Sequence, residues 1–326
     1  MSSPILILGA GSRGTALAQV VADTGAKVLL RTISDRNAKS INEKHINASY
    51  FSSHTLPLTI SATTNLALAV SQAGMIIIAL PSRILPQVID QIAPYYTGQS
   101  IITATKGLYQ SDSLLFSSLI SEKLAPKKLA VISGPSHAEE VIKRLPTFVS
   151  LASEQEDFPD EVMPFFRTEY FRLQTNTDII GTQLGGALKN VVALACGISD
   201  GLERGANIKS AIATKGLQEV GSFIQQQGGK KETVYGLAGI GDLLVTAMST
   251  LSRNRKAGKY LAQGNSKEKI LSELMDMEVE SFSALKVLSP LLQEQLSRFP
   301  LLALVDEISK QTIPQSMIER HFLEII

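Results

Sequence analysis

The stretch PILILGAGSRGTALAQVVA, residues 4–22, decides the fold. Ile5 to Leu8 are apolar at every position, so a strand here would be buried on both faces, and such strands belong to parallel sheets. Gly9, Gly11 and Gly14 follow at the spacing G-x-G-x-x-G, and Thr15 to Ala22 continue as a helix with small residues on its inner side. The first glycine of such a junction permits a tight turn. The second lets a pyrophosphate approach the backbone, and the third lets helix and strand pack closely. The helix N-terminus adds free N–H groups and the positive end of a dipole. The spacing alone is a weak signal; its place at the first strand–helix junction points to a bound dinucleotide.

Working outward, a second strand reads KVLLR, residues 27–31. NAD-selective folds end this strand in an acid that binds the ribose hydroxyls. Here it ends in Arg31, with Arg36 nearby and Asp35 several residues late. An arginine there suits a 2′-phosphate, so NADP or NAD is expected; Arg31 as a solvated loop charge is the equal alternative. Further strands are expected at 58–62, 75–80, 100–104, 129–133, 148–152 and 170–174, with helical stretches at 83–93 and 111–124 between them. This alternation predicts a doubly wound, largely parallel sheet. Ligands of such sheets bind beyond the C-terminal strand ends, where the loops 81–83, 105–107 and 134–139 fall. Lys106, in one of them, could hold an anion or polarise a carbonyl, although a single lysine in a loop is more often a surface charge.

From Asp178 onward only helical patterning is found, which sets a boundary between domains 1–178 and 179–326. The second domain opens with IIGTQLGGALKNVVALACGIS, residues 179–199, whose one charge is Lys189. The length would cross a bilayer. Thr182, Gln183, Lys189 and Asn190 at mid-depth argue instead for a helix buried in a large domain. An ammonium carried inside either finds partners or yields its proton more readily, and both outcomes suit acid–base chemistry; snorkelling to the surface is the alternative. Glycines at 236, 239 and 241 place Asp242 at a helix start, where a carboxylate would cap exposed N–H groups. Ser252, Arg253 and Asn254 precede another helix in a pattern that suits a phosphate. Residues 266–326 alternate amphipathic helices and loops without a chemical constellation.

The 326 residues carry a net charge of +1, which gives no global field for nucleic acid or an acidic membrane. The single cysteine, Cys196, lies in the apolar helix, which fits a reducing compartment. Residues 4–8 are too short for a signal-peptide core, and no basic stretch precedes them. A cytoplasmic protein with no integral membrane segment is expected.

Taken together, GAGSRGTALA (9–18), ATKG (104–107), GPSHAEEV (134–141), LGGALKNVVALACGISDGL (184–202), GLAGIGDL (236–243) and SRN (252–254) resemble the bacterial NAD(P)-dependent glycerol-3-phosphate dehydrogenases. The resemblance implies an N-terminal Rossmann-type domain followed by an all-helical domain. It implies interconversion of dihydroxyacetone phosphate and sn-glycerol 3-phosphate, feeding glycerophospholipid synthesis, with a homodimer as the common assembly. It marks Lys189 as the general acid/base, with Lys106, Gly134, Ser136, Asp242, Ser252, Arg253 and Asn254 on the substrate. It marks Gly9, Gly11, Ser12, Arg13, Gly14, Arg31, Lys106, Ala138, Arg253 and Glu280 on the cofactor, and no metal. The sequence departs from the family where leucine–tryptophan usually ends the second strand: Leu30-Arg31-Thr32-Ile33 stands there. It departs again where valine–valine–glutamate–glycine is usual: Glu278-Val279-Glu280-Ser281 stands there, in which Glu280 matches and Glu278 and Ser281 do not. Two other readings are a related two-domain dehydrogenase, of the 6-phosphogluconate or ketopantoate type, and a catalytically silent nucleotide-binding regulator.

Overall fold

The computed structural model describes residues 3–110, 114–250, 252–274 and 278–326. The chain divides into two compact units, Met1–Thr105 with Leu115–Ile179, and Lys106–Leu114 with Ile180–Ile326. Lys106–Leu114 packs with the second unit although it follows a strand of the first.

In the first unit, β1 (Ile5–Leu8), α1 (Ser12–Ala22), β2 (Val28–Arg31), α2 (Asp35–Lys44), β3 (Ile60–Thr63), α3 (Leu66–Gln72), β4 (Met75–Ile78), α4 (Leu85–Ile92) and β5 (Ser100–Thr103) alternate in order. They are followed by α5 (Phe116–Leu124), β6 (Leu129–Ser133), α6 (Ala138–Val141), β7 (Thr147–Ala152), α7 (Phe158–Val162) and β8 (Phe171–Asn176). The helix expected over 111–124 begins at Phe116; residues 111–113 lie outside the described residues. One eight-stranded sheet has the order β3-β2-β1-β4-β5-β6-β7-β8. All pairs are parallel except β6–β7. Strand order reverses between β1 and β4, the switch point where such sheets bind ligands. Ile5, Ile7, Leu30, Ile77 and Ile102 share one core with Ala16, Val20 and Val21 of α1. The alternate residues Leu6, Leu8, Ile76 and Ile78 are equally buried, which is why these strands read as continuous apolar runs.

The second unit is helical: α8 (Ile179–Gly201), α9 (Gly205–Gln226), α10 (Asp242–Met248), α11 (Arg253–Ala262), α12 (Lys267–Glu273), α13 (Glu280–Glu294), α14 (Pro300–Lys310) and α15 (Ile318–Ile325). By length and composition α8 could cross a membrane, but its apolar window is 94% buried inside the protein, as a core helix is. Backbone approaches closely where α8 meets α11. A Cβ on Gly197 would lie 2.0 Å from the Arg255 carbonyl, and one on Gly258 would lie 2.1 Å from that of Leu194. Only glycine fits either position.

Candidate active site

The glycines of the first unit divide by what surrounds them. Gly9 has φ +112°, and a Cβ there would meet the Ala79 carbonyl at 2.6 Å. A Cβ on Gly14 would meet the Gly9 carbonyl at 1.8 Å. Gly11 is different, since a Cβ there would meet nothing within 4 Å. Gly9 thus serves the turn, Gly14 serves packing, and Gly11 leaves room beside the backbone. A pyrophosphate needs that division. Gly11 is also the N-cap of α1, with no side-chain cap and no acid in the first turn, so the helix start keeps its positive character.

Around this turn, the Gly9 N–H donates to the Arg31 carbonyl at 3.2 Å, which joins the glycine turn to the end of β2. Arg31 is half-buried, and burial pushes its guanidinium pKa below the ordinary value. Its buried Nε has no hydrogen-bond partner among the described residues. Asp35, the late acid, opens α2 and accepts from Thr64 at 2.8 Å. Arg13 donates to the Ala104 carbonyl at 2.8 Å, tying the start of α1 to the end of β5. Gly134 (φ +146°), Ser136 and Ala138 follow β6; the Ser136 hydroxyl donates to the Gly134 carbonyl at 3.0 Å. The ends of β1, β2, β5 and β6 share one edge because those strands run parallel.

In the second unit, one carboxylate gathers two ammonium groups. Lys189 of α8 lies 3.0 Å from Asp242 Oδ1, and Lys106 pairs with Asp242 Oδ2. The three residues are 6%, 8% and 2% exposed. Burial pushes the Asp242 carboxyl up, but the adjacent ammonium groups outweigh it and hold the pKa below the usual value. Asp242 is the first residue of α10 and makes no cap; its carboxylate is spent on the lysines, not on helix N–H groups. Capping, the alternative role for Asp242 at a helix start, is not what its carboxylate does.

The local sequence explains how these groups meet. Leu237–Gly241 forms a π-helical turn immediately before α10. It lies against Gly185, where a Cβ would meet the Ala238 carbonyl at 3.3 Å. Gly185 precedes Lys189 by four residues and so shares its face of α8. The missing side chain lets the turn come close where the lysine waits. Thr246, unnoticed in the sequence, accepts from Lys189 and donates to the Asp242 carbonyl at 2.7 Å. The signal for it was present: it follows Asp242 by four residues, on one face of α10.

Asn190, Asn254 and Glu280 form a chain next to the cluster. The Asn190 amide donates to Glu280 Oε2 at 2.7 Å, and Asn254 donates to Asn190 Oδ1 at 2.9 Å. The Ser281 N–H donates to Asn254 Oδ1 at 3.0 Å. Ser252 caps α11 by accepting from the Arg255 N–H at 3.2 Å, and half-buried Arg253 is the first residue of that helix. Lys106, Lys189 and Asp242 are thus in direct contact, while Asn254 and Glu280 join α11 and α13 to the same helix α8; Ser252 and Arg253 stand at the start of α11.

Profiles of the two halves of one family match this chain: the NAD-dependent glycerol-3-phosphate dehydrogenase N-terminus over residues 4–159, and its C-terminus over residues 178–319. The chain belongs to the NAD-dependent glycerol-3-phosphate dehydrogenase family. It is 40% identical over 308 residues to the glycerol-3-phosphate dehydrogenase [NAD(P)+] of Bacillus anthracis, covering 93% of this chain and 90% of that protein. The crystal structure of a glycerol-3-phosphate dehydrogenase from Coxiella burnetii matches with a TM-score of 0.92 and 35% identity, covering 99% of each chain. The Saccharomyces cerevisiae glycerol-3-phosphate dehydrogenase structure matches with a TM-score of 0.88 and 26% identity, also over 99% of each chain. A match through both halves separates this family from other dehydrogenases of the same plan. The NAD(P) requirement of glycerol-3-phosphate dehydrogenases agrees with the open Gly11 and the unpartnered Arg31 Nε.

Proposed function

We propose that this chain interconverts dihydroxyacetone phosphate and sn-glycerol 3-phosphate with NADPH or NADH, feeding glycerophospholipid synthesis as a cytoplasmic homodimer. The observation that carries the chemistry is the buried Lys106–Asp242–Lys189 cluster. Two ammonium groups against one carboxylate leave one positive charge for an anionic, carbonyl-bearing substrate. Bound nicotinamide dinucleotide supplies the hydride.

Lys189 is the general acid/base. As charge grows on the ketone oxygen, its ammonium stabilises that charge and donates the proton; in reverse, the neutral amine takes the hydroxyl proton. Asp242 and Thr246 fix the direction in which Nζ points. Lys106 shares Asp242 and stands at both substrate and cofactor. Arg253, with Ser252 and Asn254 at the start of α11, holds the phosphate, because a guanidinium offers a rigid fork of donors at the positive end of a helix. Gly134 and Ser136 complete the substrate contacts. In the first unit, Gly9, Gly11, Ser12, Arg13, Gly14 and Ala138 would hold the dinucleotide; that Arg253 also reaches it is what the family resemblance implies. Glu280 Oε2 is taken by Asn190, which leaves its other oxygen for the cofactor. Arg31 takes a 2′-phosphate, since nothing else among the described residues pairs its Nε.

The test is a spectrophotometric assay of dihydroxyacetone phosphate reduction with NADH and NADPH side by side. Turnover on the phosphorylated ketone with either cofactor is expected. Dinucleotide binding without turnover would instead support the silent-regulator reading.

A further inference from the structure

Asn47 lies in the connection between α2 and β3, outside every motif singled out in the sequence, and is fully buried. Its side-chain amide donates to the Ala10 carbonyl at 2.9 Å and to Thr15 Oγ1 at 2.7 Å. Both N–H groups of the amide are thus committed to the glycine turn. Ala10 is the residue between Gly9 and Gly11, and Thr15 is the first residue after Gly14. The other end of the turn is tied by the Gly9 N–H to the Arg31 carbonyl.

A trans peptide points its C=O and the next N–H in opposite directions. Holding the Ala10 carbonyl therefore sets the direction of the Gly11 N–H. With Asn47 on one side of that peptide, the N–H points away from Asn47; it belongs to the same residue on which a Cβ would meet nothing within 4 Å. Without Asn47, the Ala10 carbonyl would keep, among the described residues, only the Thr15 hydroxyl at 3.5 Å, the limit of a hydrogen bond. The peptide on either side of Ala10 would then be free to rotate, since glycines flank it.

We propose that Asn47 is a positioning residue for pyrophosphate binding: it fixes the Ala10–Gly11 peptide from behind so that the Gly11 N–H is already aimed when the dinucleotide arrives. The proposal rests on the dinucleotide reading of the glycine turn. It assigns Asn47 no contact with the cofactor. The gain is pre-organisation, because a donor already aimed needs no ordering on binding.

The test is NADP⁺ binding by the full chain, read by titration calorimetry and by phosphorus NMR, which separates the pyrophosphate from the 2′-phosphate. Binding by the unaltered protein comes first; its absence would defeat the cofactor reading, not this one. Asn47→Asp keeps the size and removes the donors, and Asn47→Ala removes both. Each variant is expected to bind NADP⁺ about tenfold or more weakly, the effect of losing one well-aimed donor to a charged group. The pyrophosphate resonances of the bound form should shift while the 2′-phosphate resonance stays. Asn47→Asp should regain affinity as pH falls and its carboxyl gains a proton to donate. Thr15→Val, which keeps the Asn47–Ala10 bond, should weaken binding less than either. Unchanged affinity in a folded Asn47→Asp protein would overturn the proposal, as would an equal shift of all phosphorus signals. If Asn47→Ala does not fold, the Asn47→Asp titration decides alone.

Discussion

In the first unit the turn at Gly9–Gly14 works by what its residues lack, whereas in the second unit the cluster at Lys189 works by what three side chains carry. The turn offers backbone N–H groups, a dipole and open space at Gly11. The cluster offers two ammonium groups and one carboxylate, buried where their fields are weakly screened. One suits a ligand that is bound and released unchanged at its phosphates. The other suits a reacting atom whose charge changes. The contrast predicts that substitutions in the turn alter affinity or packing, while substitutions in the cluster alter turnover.

The largest effect is expected at Lys189. Lys189→Ala should lose about 10²–10⁴ in turnover, the usual worth of general acid–base catalysis, while dinucleotide affinity persists. Steady-state kinetics beside a binding titration checks this, and near-normal turnover would remove Lys189 from the chemistry. Next comes Asp242→Asn, which leaves two buried ammonium groups without their shared anion. Loss of one member of a buried pair costs about 3–5 kcal/mol, so denaturant melts should move strongly. The pH dependence has a definite sign. The folded-state pKa of Asp242 is below its ordinary value, so its contribution is present above the ordinary carboxylate range. It is lost as pH falls through the lower, folded value. The stability gap between the unaltered protein and Asp242→Asn should therefore narrow in acid.

Smaller effects separate the glycines from one another. Gly14→Ala places a methyl group against the Gly9 carbonyl and should destabilise by about 1–3 kcal/mol, as overpacking does. Gly11→Ala meets nothing and has an ordinary φ of −72°, so its melting temperature should hold while dinucleotide affinity falls. Equal melting temperatures for the two variants would undo the division of labour within the turn. The smallest effect is one of preference. Arg31→Ala should weaken NADPH relative to NADH by about tenfold, from the loss of a charged hydrogen-bond donor. An unchanged ratio would show that Arg31 does not read a 2′-phosphate.

The legibility of the two regions in the sequence follows the same contrast. The turn is a local device, so spacing and strand pattern were enough to find it. All eight expected strands form: β1, β4 and β6 are buried at every position, as apolar runs should be, whereas β3 and β8 at the sheet edges expose part of their length. The antiparallel pairing of β7 with β6 was not legible, since a buried strand has the same composition in either direction. The cluster is non-local. Lys106 and Asp242 are 136 residues apart in sequence, and helix-start position alone pointed Asp242 toward capping. Thr246 goes unmarked in the sequence and Asn190 stands out only as a polar group in an apolar run, because hydroxyl and amide groups are common on helices; the packing of α8 with α10, α11 and α13 gives them partners. The family resemblance named Asp242 as a substrate residue, but the carboxylate's hold on both lysines is visible only in the fold.

The central claim, that the Lys189 ammonium carries the proton, is tested most directly by chemical rescue. Lys189→Ala is assayed for dihydroxyacetone phosphate reduction with increasing methylammonium or ethylammonium chloride, against matched sodium chloride. Turnover is expected to rise with amine concentration and to follow amine size and basicity. Turnover equal to that of the unaltered protein before any amine is added, or loss of dinucleotide binding with no response to amine, would contradict it.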